Sequence, residues 1–255
     1  MKNQEGSAMV ILEGKNICKS FGGLSAVTNV DFVLNKGEII GLIGPNGAGK
    51  TTLVNIIAGT YPPTSGTVKF KTRDITGMKA YKIGRLGISR TYQVVKPFPG
   101  MTVKENISVG AMFGARGKEM NARDAIAEAE EIIDFVELGD MASKRADDLN
   151  VASRKRLEMA KALAMNPEVI LLDEVMAGLN FSEIDKAVEL IKKIRDRGMS
   201  ILVIEHVMRA IRGVSDKIFV LHHGEKIADG TPDDVLNDET VIRAYLGKRY
   251  RQLVG

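Results

Sequence analysis

The sequence predicts an α/β fold, on three observations. Runs of strand length, "EIIGLIG" (38–44), "EVILLDE" (168–174) and "MSILVIEH" (199–206), are nearly continuous in Val, Ile and Leu, as strands covered on both faces are. Amphipathic stretches of helical length separate them. From about residue 94 to 150 the texture turns helical, which predicts a mostly helical subdomain inserted between strands of the α/β core.

The elements follow in chain order. "AMVILEGKNICKSF" (8–21) and "AVTNVDFVLNKGE" (26–38) read as strands broken by a Phe-Gly-Gly turn, and "EIIGLIG" as a short strand ending in Gly. In "PNGAGKTTLVNIIAG" (45–59), Leu53, Ile56 and Ile57 keep helical spacing and Gly59 offers a C-terminal stop. "TSGTVKF" (64–70) is another strand, after a Pro-Pro turn. "VVKPFPGMTVKENI" (94–107) reads as a turn entering a helix. "EMNARDAIAEAEEIIDFVEL" (119–138) is amphipathic, with Ala122, Ile126, Ala129, Ile133 and Val136 expected on one inward stripe. "SEIDKAVELIKKIRDRG" (182–198) reads as a helix with Ser182 as N-cap, Asp185 reaching back and Gly198 after its end. "DKIFVLHHGEKIADG" (216–230) reads as a hairpin around His223-Gly224.

Bulk properties exclude several classes. The 255 residues are 44% hydrophobic and 27% charged, an ordinary globular balance. A net charge of +4 with scattered Lys and Arg does not describe a nucleic-acid face, so no nucleic-acid partner is expected. The basic run "GKRYRQ" (247–252) reads as a solvated end. The single cysteine, Cys18, excludes an internal disulfide, suits a reducing compartment and reads as a buried structural thiol. The N-terminus lacks the apolar core of a signal peptide, and no apolar run reaches the roughly 18–20 residues of a membrane span. Any membrane connection is therefore expected to pass through a partner.

The chemistry concentrates in two segments. "GPNGAGKT", Gly44 to Thr51, satisfies G-x-x-x-x-G-K-[ST] between an apolar strand and an amphipathic helix. Glycines at 44, 47 and 49 let backbone N–H groups approach phosphate oxygens, and the helix N-terminus adds positive potential. The phosphate-binding set is thus Gly44, Pro45, Asn46, Gly47, Ala48, Gly49, Lys50, Thr51 and Thr52, with Lys50 reaching the β and γ phosphates and the Thr51 hydroxyl able to ligate Mg²⁺. "VILLDE" then delivers Asp173 and Glu174 to the C-terminal edge of a sheet, where ligands bind in open α/β folds. Asp173 would hold Mg²⁺, directly or through water; Glu174 would orient or deprotonate the attacking water. His206, closing "ILVIEH", can donate to the γ-phosphate as charge develops. The amide of Gln93, in "SRTYQVV", can ligate Mg²⁺ or water where the core texture turns helical.

In this order and over nearly the whole chain, these pieces resemble the nucleotide-binding subunit of an ABC transporter: an aromatic A-loop residue (Phe21), the P-loop, a Q-loop Gln93, the Walker B run "VILLDE", a D-loop "AGLN" (177–180) and the switch His206. "FGGLSAVTNVDF", "GISRTYQVVKPFPGMTVKENI", "MAGLN" and "IEHVM" look most like the ATPase of branched-chain amino acid importers, with urea and amide importers close by. The resemblance implies a P-loop NTPase core with an N-terminal antiparallel β subdomain and an inserted α-helical subdomain. One domain over 8–247 is expected, with core 8–93 and 165–247, helical part about 94–164, and a basic tail 248–255. It implies ATP and Mg²⁺ as cofactors, Phe21 stacking on adenine and Val27 packing nearby. Two such subunits would sandwich two ATPs on the inner face of a membrane, beneath permeases fed by a substrate-binding protein, with Gln93 and the 94–150 region facing the permease.

One motif departs from the family. Where it carries L-S-G-G-Q, this chain reads Leu149-Asn150-Val151-Ala152-Ser153. Asn150 and Ser153 are the residues left to reach the nucleotide on an opposing subunit; Asn150 can still cap a helix, whereas Val151 and Ala152 add Cβ atoms where close approach is useful. The expectation is a heterodimer whose second chain carries an ordinary signature. The rival reading is a soluble ABC ATPase without a permease.

Overall fold

The computed structural model describes residues 9–93, 97–115 and 120–246; the basic run 247–252 and the tail 248–255 lie outside them. Its elements are β1 (Val10–Phe21), β2 (Leu24–Asn35), β3 (Ile39–Ile43), α1 (Lys50–Ile57), β4 (Ser65–Phe70), β5 (Arg73–Asp74), α2 (Ala80–Leu86), β6 (Ile88–Arg90), α3 (Val103–Phe113), α4 (Ala122–Phe135), α5 (Val151–Ala164), β7 (Val169–Asp173), α6 (Phe181–Asp196), β8 (Ser200–Ile204), α7 (Met208–Val214), β9 (Lys217–His222), β10 (Glu225–Gly230), α8 (Pro232–Leu236) and α9 (Glu239–Leu246).

The strands make two sheets. An antiparallel sheet runs β2-β1-β4-β5, and a six-stranded sheet runs β10-β9-β3-β8-β7-β6, parallel except where β10 returns beside β9. The apolar runs read from sequence become the interior of this second sheet, and their alternation serves two cores. Ile39, Ile43, Ile170, Leu172, Ile201 and Val203 face the core shared with the helical region. Ile40, Leu42, Leu171, Leu202 and Phe219 face α1 and the antiparallel sheet. Phe32 of β2 stacks on Phe219 of β9, centroids 6.1 Å apart, which ties the two sheets together.

The helical region packs α3, α4 and α5 around small side chains. A Cβ on Gly110 of α3 would stand 2.5 Å from the Lys161 carbonyl of α5, so only glycine allows that crossing. Thr102 and Glu105 form a reciprocal cap at the start of α3.

Three local expectations need correction. On α4 the buried residues are Ala125, Ala129, Ile132 and Ile133, followed by Val136; Ala122 is exposed and Ile126 is 45% exposed. Successive helical residues are about 100° apart, so turning Ala125 toward α3 turns Ile126 out. The cap of α6 is Asn180, not Ser182: Asn180 Oδ1 accepts from the Glu183 N–H at 3.0 Å and Glu183 Oε2 accepts from the Asn180 N–H at 2.9 Å. That reciprocal pair starts the helix earlier and leaves Asp185 to pair with Arg209 at 3.0 Å. Cys18 is half-buried rather than buried, with Sγ 3.2 Å from both the backbone N–H and the side-chain oxygen of Asn29.

Candidate functional site

Parallel pairing gathers the motif residues at one sheet edge. Ile204 of β8 pairs with Leu42 of β3 on one side and Asp173 of β7 on the other. The chain therefore leaves β3 into Gly44, β7 into Glu174 and β8 into His206 at the same level. This is the C-terminal edge of a parallel sheet, where the helix that follows points its N-terminus at the crevice.

The turn from Gly44 to Lys50 is built tightly against its neighbours. Gly44 has φ +152° and a Cβ there would lie 2.1 Å from the Leu221 carbonyl; Gly49 has φ +102° and a Cβ there would lie 2.4 Å from the Ala26 carbonyl. Both positions exclude any other residue. Pro45 is half-buried, while Asn46 and Gly47 are exposed at the crest. Ala48 is buried; its N–H donates to the Pro45 carbonyl at 3.2 Å and its carbonyl accepts from Gly224 N–H at 3.0 Å. The hairpin turn between β9 and β10 thus braces the loop, and Gly224 in turn accepts from Thr28 N–H at 2.8 Å. Lys50 is buried and donates Nζ to the carbonyls of Gly44 at 2.7 Å and Pro45 at 3.0 Å. Burial lowers its pKa, opposed by the charges of Glu174 and Asp173. Thr51 is exposed and Thr52 half-buried in the first turn of α1.

The two adjacent carboxylates have different surroundings. Asp173 is 2% exposed; its Oδ2 pairs with Arg90 at 2.9 Å and its backbone N–H donates to Thr91 Oγ1 at 3.0 Å. Burial raises its pKa, while the Arg90 hydrogen bond and charge oppose the rise. Glu174 is half-buried at φ +49°, and its Oε2 accepts from the Gln93 side-chain amide at 2.7 Å. Lys155 of α5 donates Nζ to the Glu174 carbonyl at 2.9 Å and the Gln93 carbonyl at 3.3 Å, fastening the helical region to this edge. His206 is exposed, and behind it Glu205 is buried with Oε1 on the Met176 N–H at 2.7 Å.

Two sequence expectations change here. Val27 is fully buried: it packs beneath Gly49 and supports the loop from below, with no surface to offer a base. Ser153 is 6% exposed; its N–H donates to Asn150 Oδ1 at 2.8 Å, which turns the residue inward as the third of the helix. Asn150 is exposed and caps α5 by that bond, and Val151 beside it is 58% exposed. Phe21 is 45% exposed and meets Tyr61 edge-on at 5.3 Å, with Lys19 Nζ 5.0 Å from the Phe21 centroid.

The donors fit a hard divalent cation. Thr51, Gln93 and Asp173 line one cavity of about 770 Å³ between the core and the helical region, along with Tyr92, Phe98 and Phe113. Hydroxyl, amide and carboxylate oxygens are magnesium ligands, and buried Asp173 Oδ1 has no hydrogen-bond partner. Among the described residues, no cluster of three or more His, Cys, Asp or Glu could hold a metal by itself.

Sequence reasoning missed Arg90, Lys155, Glu205 and Tyr61. Glu205 carried a signal, a charge closing an apolar run beside His206; the other three lie in ordinary basic or turn contexts.

A family model described as ABC transporter matches residues 27–177. A second, described as branched-chain amino acid ATP-binding cassette transporter, matches residues 225–251. The chain is 39% identical over 250 residues to the high-affinity branched-chain amino acid transport ATP-binding protein LivG of Escherichia coli K12, covering 93% of this chain and 98% of that one. A nucleotide-free ATP-binding cassette from an ABC transporter superposes with a TM-score of 0.85 at 30% identity, covering 94% of this chain and all of the other. A dimeric post-hydrolysis cassette bound to ADP and Pi gives 0.79 at 26% identity, covering 87% and 99%.

Proposed function

The chain belongs to the ABC transporter ATP-binding family, and from that premise we propose that it powers uptake of branched-chain amino acids or similar small polar solutes through partner permeases. The carrying observation is the convergence at one sheet edge of the Gly44–Lys50 turn, Asp173, Glu174 and His206.

In this reading ATP is the substrate. Lys50 exchanges the Gly44 and Pro45 carbonyls for β and γ phosphate oxygens, and backbone N–H groups of residues 44–52 surround the same anion. Phe21 stacks on the base. Thr51, Asp173 and Gln93 hold Mg²⁺, whose chemistry when bound is to neutralise charge on the phosphate oxygens. Glu174 orients the attacking water and accepts its proton, with Gln93 holding the carboxylate in position beforehand. His206 donates to the γ-phosphate as negative charge grows.

Residues 8–93 and 165–247 act as the nucleotide core and about 94–164 as the helical part that meets the permease. No described helix is long and apolar enough to cross a membrane. In this reading the link to the inner membrane face runs through permeases, which a substrate-binding protein supplies. The partner ATPase is a different chain with an ordinary signature, because Val151 and Ala152 place Cβ atoms where close backbone approach to the opposing phosphate is needed. Each charge-assisted hydrogen bond lost there is worth about 1.5–3 kcal/mol, or roughly tenfold or more in rate.

The test is ATP turnover of the assembled transporter in lipid, with Lys50→Ala and Glu174→Gln each abolishing it. The heterodimer is tested by assaying the chain alone, with its partner, and with Ser-Gly-Gly-Gln at 150–153. High activity alone, unchanged by that restoration, refutes it.

A further inference from the structure

Arg90 has a buried role that phosphate binding and water activation leave unexplained. It ends β6, is 8% exposed in its side chain, and faces an aspartate that is 2% exposed. Its Nη2 lies 2.9 Å from Asp173 Oδ2 and its Nη1 2.5 Å from Asn55 Oδ1 on α1. Asn55 is itself oriented: its Nδ2 donates to the Tyr61 hydroxyl at 3.0 Å, so its oxygen has to face the guanidinium. The guanidinium also lies 4.9 Å from the Tyr92 ring centroid. A planar fork places two separate nitrogens on two acceptors at fixed angles, whereas a lysine offers a single nitrogen on a flexible stem. Asp173 is thus held from one side only: Oδ2 is taken and Oδ1 is the atom left for a ligand.

We propose that Arg90 is a positioning residue for phosphoryl transfer, clamping the Asp173 carboxylate to the P-loop helix through Asn55 so that Oδ1 is presented to the divalent cation that accompanies ATP. The proposal rests on the reading that Asp173 holds this cation. Without Arg90, a carboxylate buried to this degree loses the cation that compensates its charge and the contact that fixes its rotamer. Without Asn55, the guanidinium keeps its charge but loses its second anchor. Nucleotide contacts made by the turn from Gly44 to Lys50 stay as they are in both cases.

The experiment measures binding of a fluorescent ATP analogue to the full-length protein, once with Mg²⁺ and once with EDTA, for the parent chain and for Asp173→Asn, Arg90→Met, Arg90→Lys and Asn55→Leu. The expected result is that Arg90→Met removes tenfold or more of the Mg²⁺-dependent gain in affinity while binding in EDTA changes less than threefold. Arg90→Lys and Asn55→Leu lose an intermediate part, and they carry the test if Arg90→Met does not fold. An unchanged Mg²⁺-dependent gain in the folded Arg90 and Asn55 variants overturns the proposal, as does an equal loss of affinity with and without metal. If Asp173→Asn itself leaves the gain intact, the assignment of the cation to Asp173 is what fails.

Discussion

Gln93 donates its side-chain amide to the Glu174 carboxylate across 2.7 Å, although 81 residues separate them. The residue at the entrance to the helical region thereby holds the group assigned to activate water. Glu174→Gln is expected to lower turnover by about 100-fold or more with ATP affinity retained. Gln93→Ala is expected to lower kcat by about tenfold, the value of one hydrogen bond to a charged group, and, because the same amide is assigned to the metal, to weaken ATP binding in Mg²⁺ while leaving binding in EDTA little changed. Single-turnover kinetics beside equilibrium binding separate these effects, and a Gln93→Ala chain with normal kcat would remove the role given to this contact.

The three glycines of the phosphate turn are expected to differ. Alanine at 44 or 49 places a Cβ 2.1 or 2.4 Å from a backbone carbonyl, a clash that only a shift of the sheet edge or of β2 relieves. Each substitution should cost about 3 kcal/mol or more and lower the melting temperature by several degrees. Gly47, at φ +79° with nothing within 4 Å of its Cβ position, should cost only about 1 kcal/mol as alanine. Its effect should fall on ATP binding, since that Cβ stands at the exposed crest of the loop. Calorimetry paired with nucleotide titration gives both numbers for each variant.

Glu205 makes stability depend on pH. Burial pushes its pKa up to about 7, against the pull of the Met176 and His206 backbone donors, while the charge of Glu174 adds to the rise. Between the ordinary glutamate value of 4.5 and about 7, the folded chain keeps a proton that the unfolded chain has released. Stability therefore falls as pH rises through that window and levels off above it. At about 1.4 kcal/mol per unit the loss is roughly 3 kcal/mol. Urea unfolding from pH 5 to 8 should show this slope for the parent and a flatter profile for Glu205→Gln, which should be the more stable of the two at pH 8. Parallel profiles would contradict the assignment.

Helix caps allow a smaller and cleaner check. Asn150→Ala and Asn180→Ala should each cost about 1 kcal/mol, because each leaves a first-turn N–H without its acceptor. Ser182→Ala should stay within about 0.5 kcal/mol, since the α6 cap lies two residues earlier. Denaturant midpoints measured side by side decide between Asn180 and Ser182 as the cap.

The phosphate turn, the strand runs and the cap of α5 are legible from the chain alone because their physics is local. A glycine-rich turn between an apolar strand and a helix binds an anion with groups fewer than ten residues apart, and Asn150 reaches only to Ser153. The same locality misled where two local solutions competed: Asn180 won over Ser182 because its partner Glu183 completes a reciprocal cap, and Ala125 displaced Ile126 because α3 sits close against α4. The surroundings of the carboxylates belong to tertiary structure. Arg90 meets Asp173 across 83 residues, Glu205 meets Met176 across 29, and Val27 disappears beneath Gly49. Such neighbours are chosen by sheet order and by which face of each element is turned inward, and periodicity along a chain carries neither.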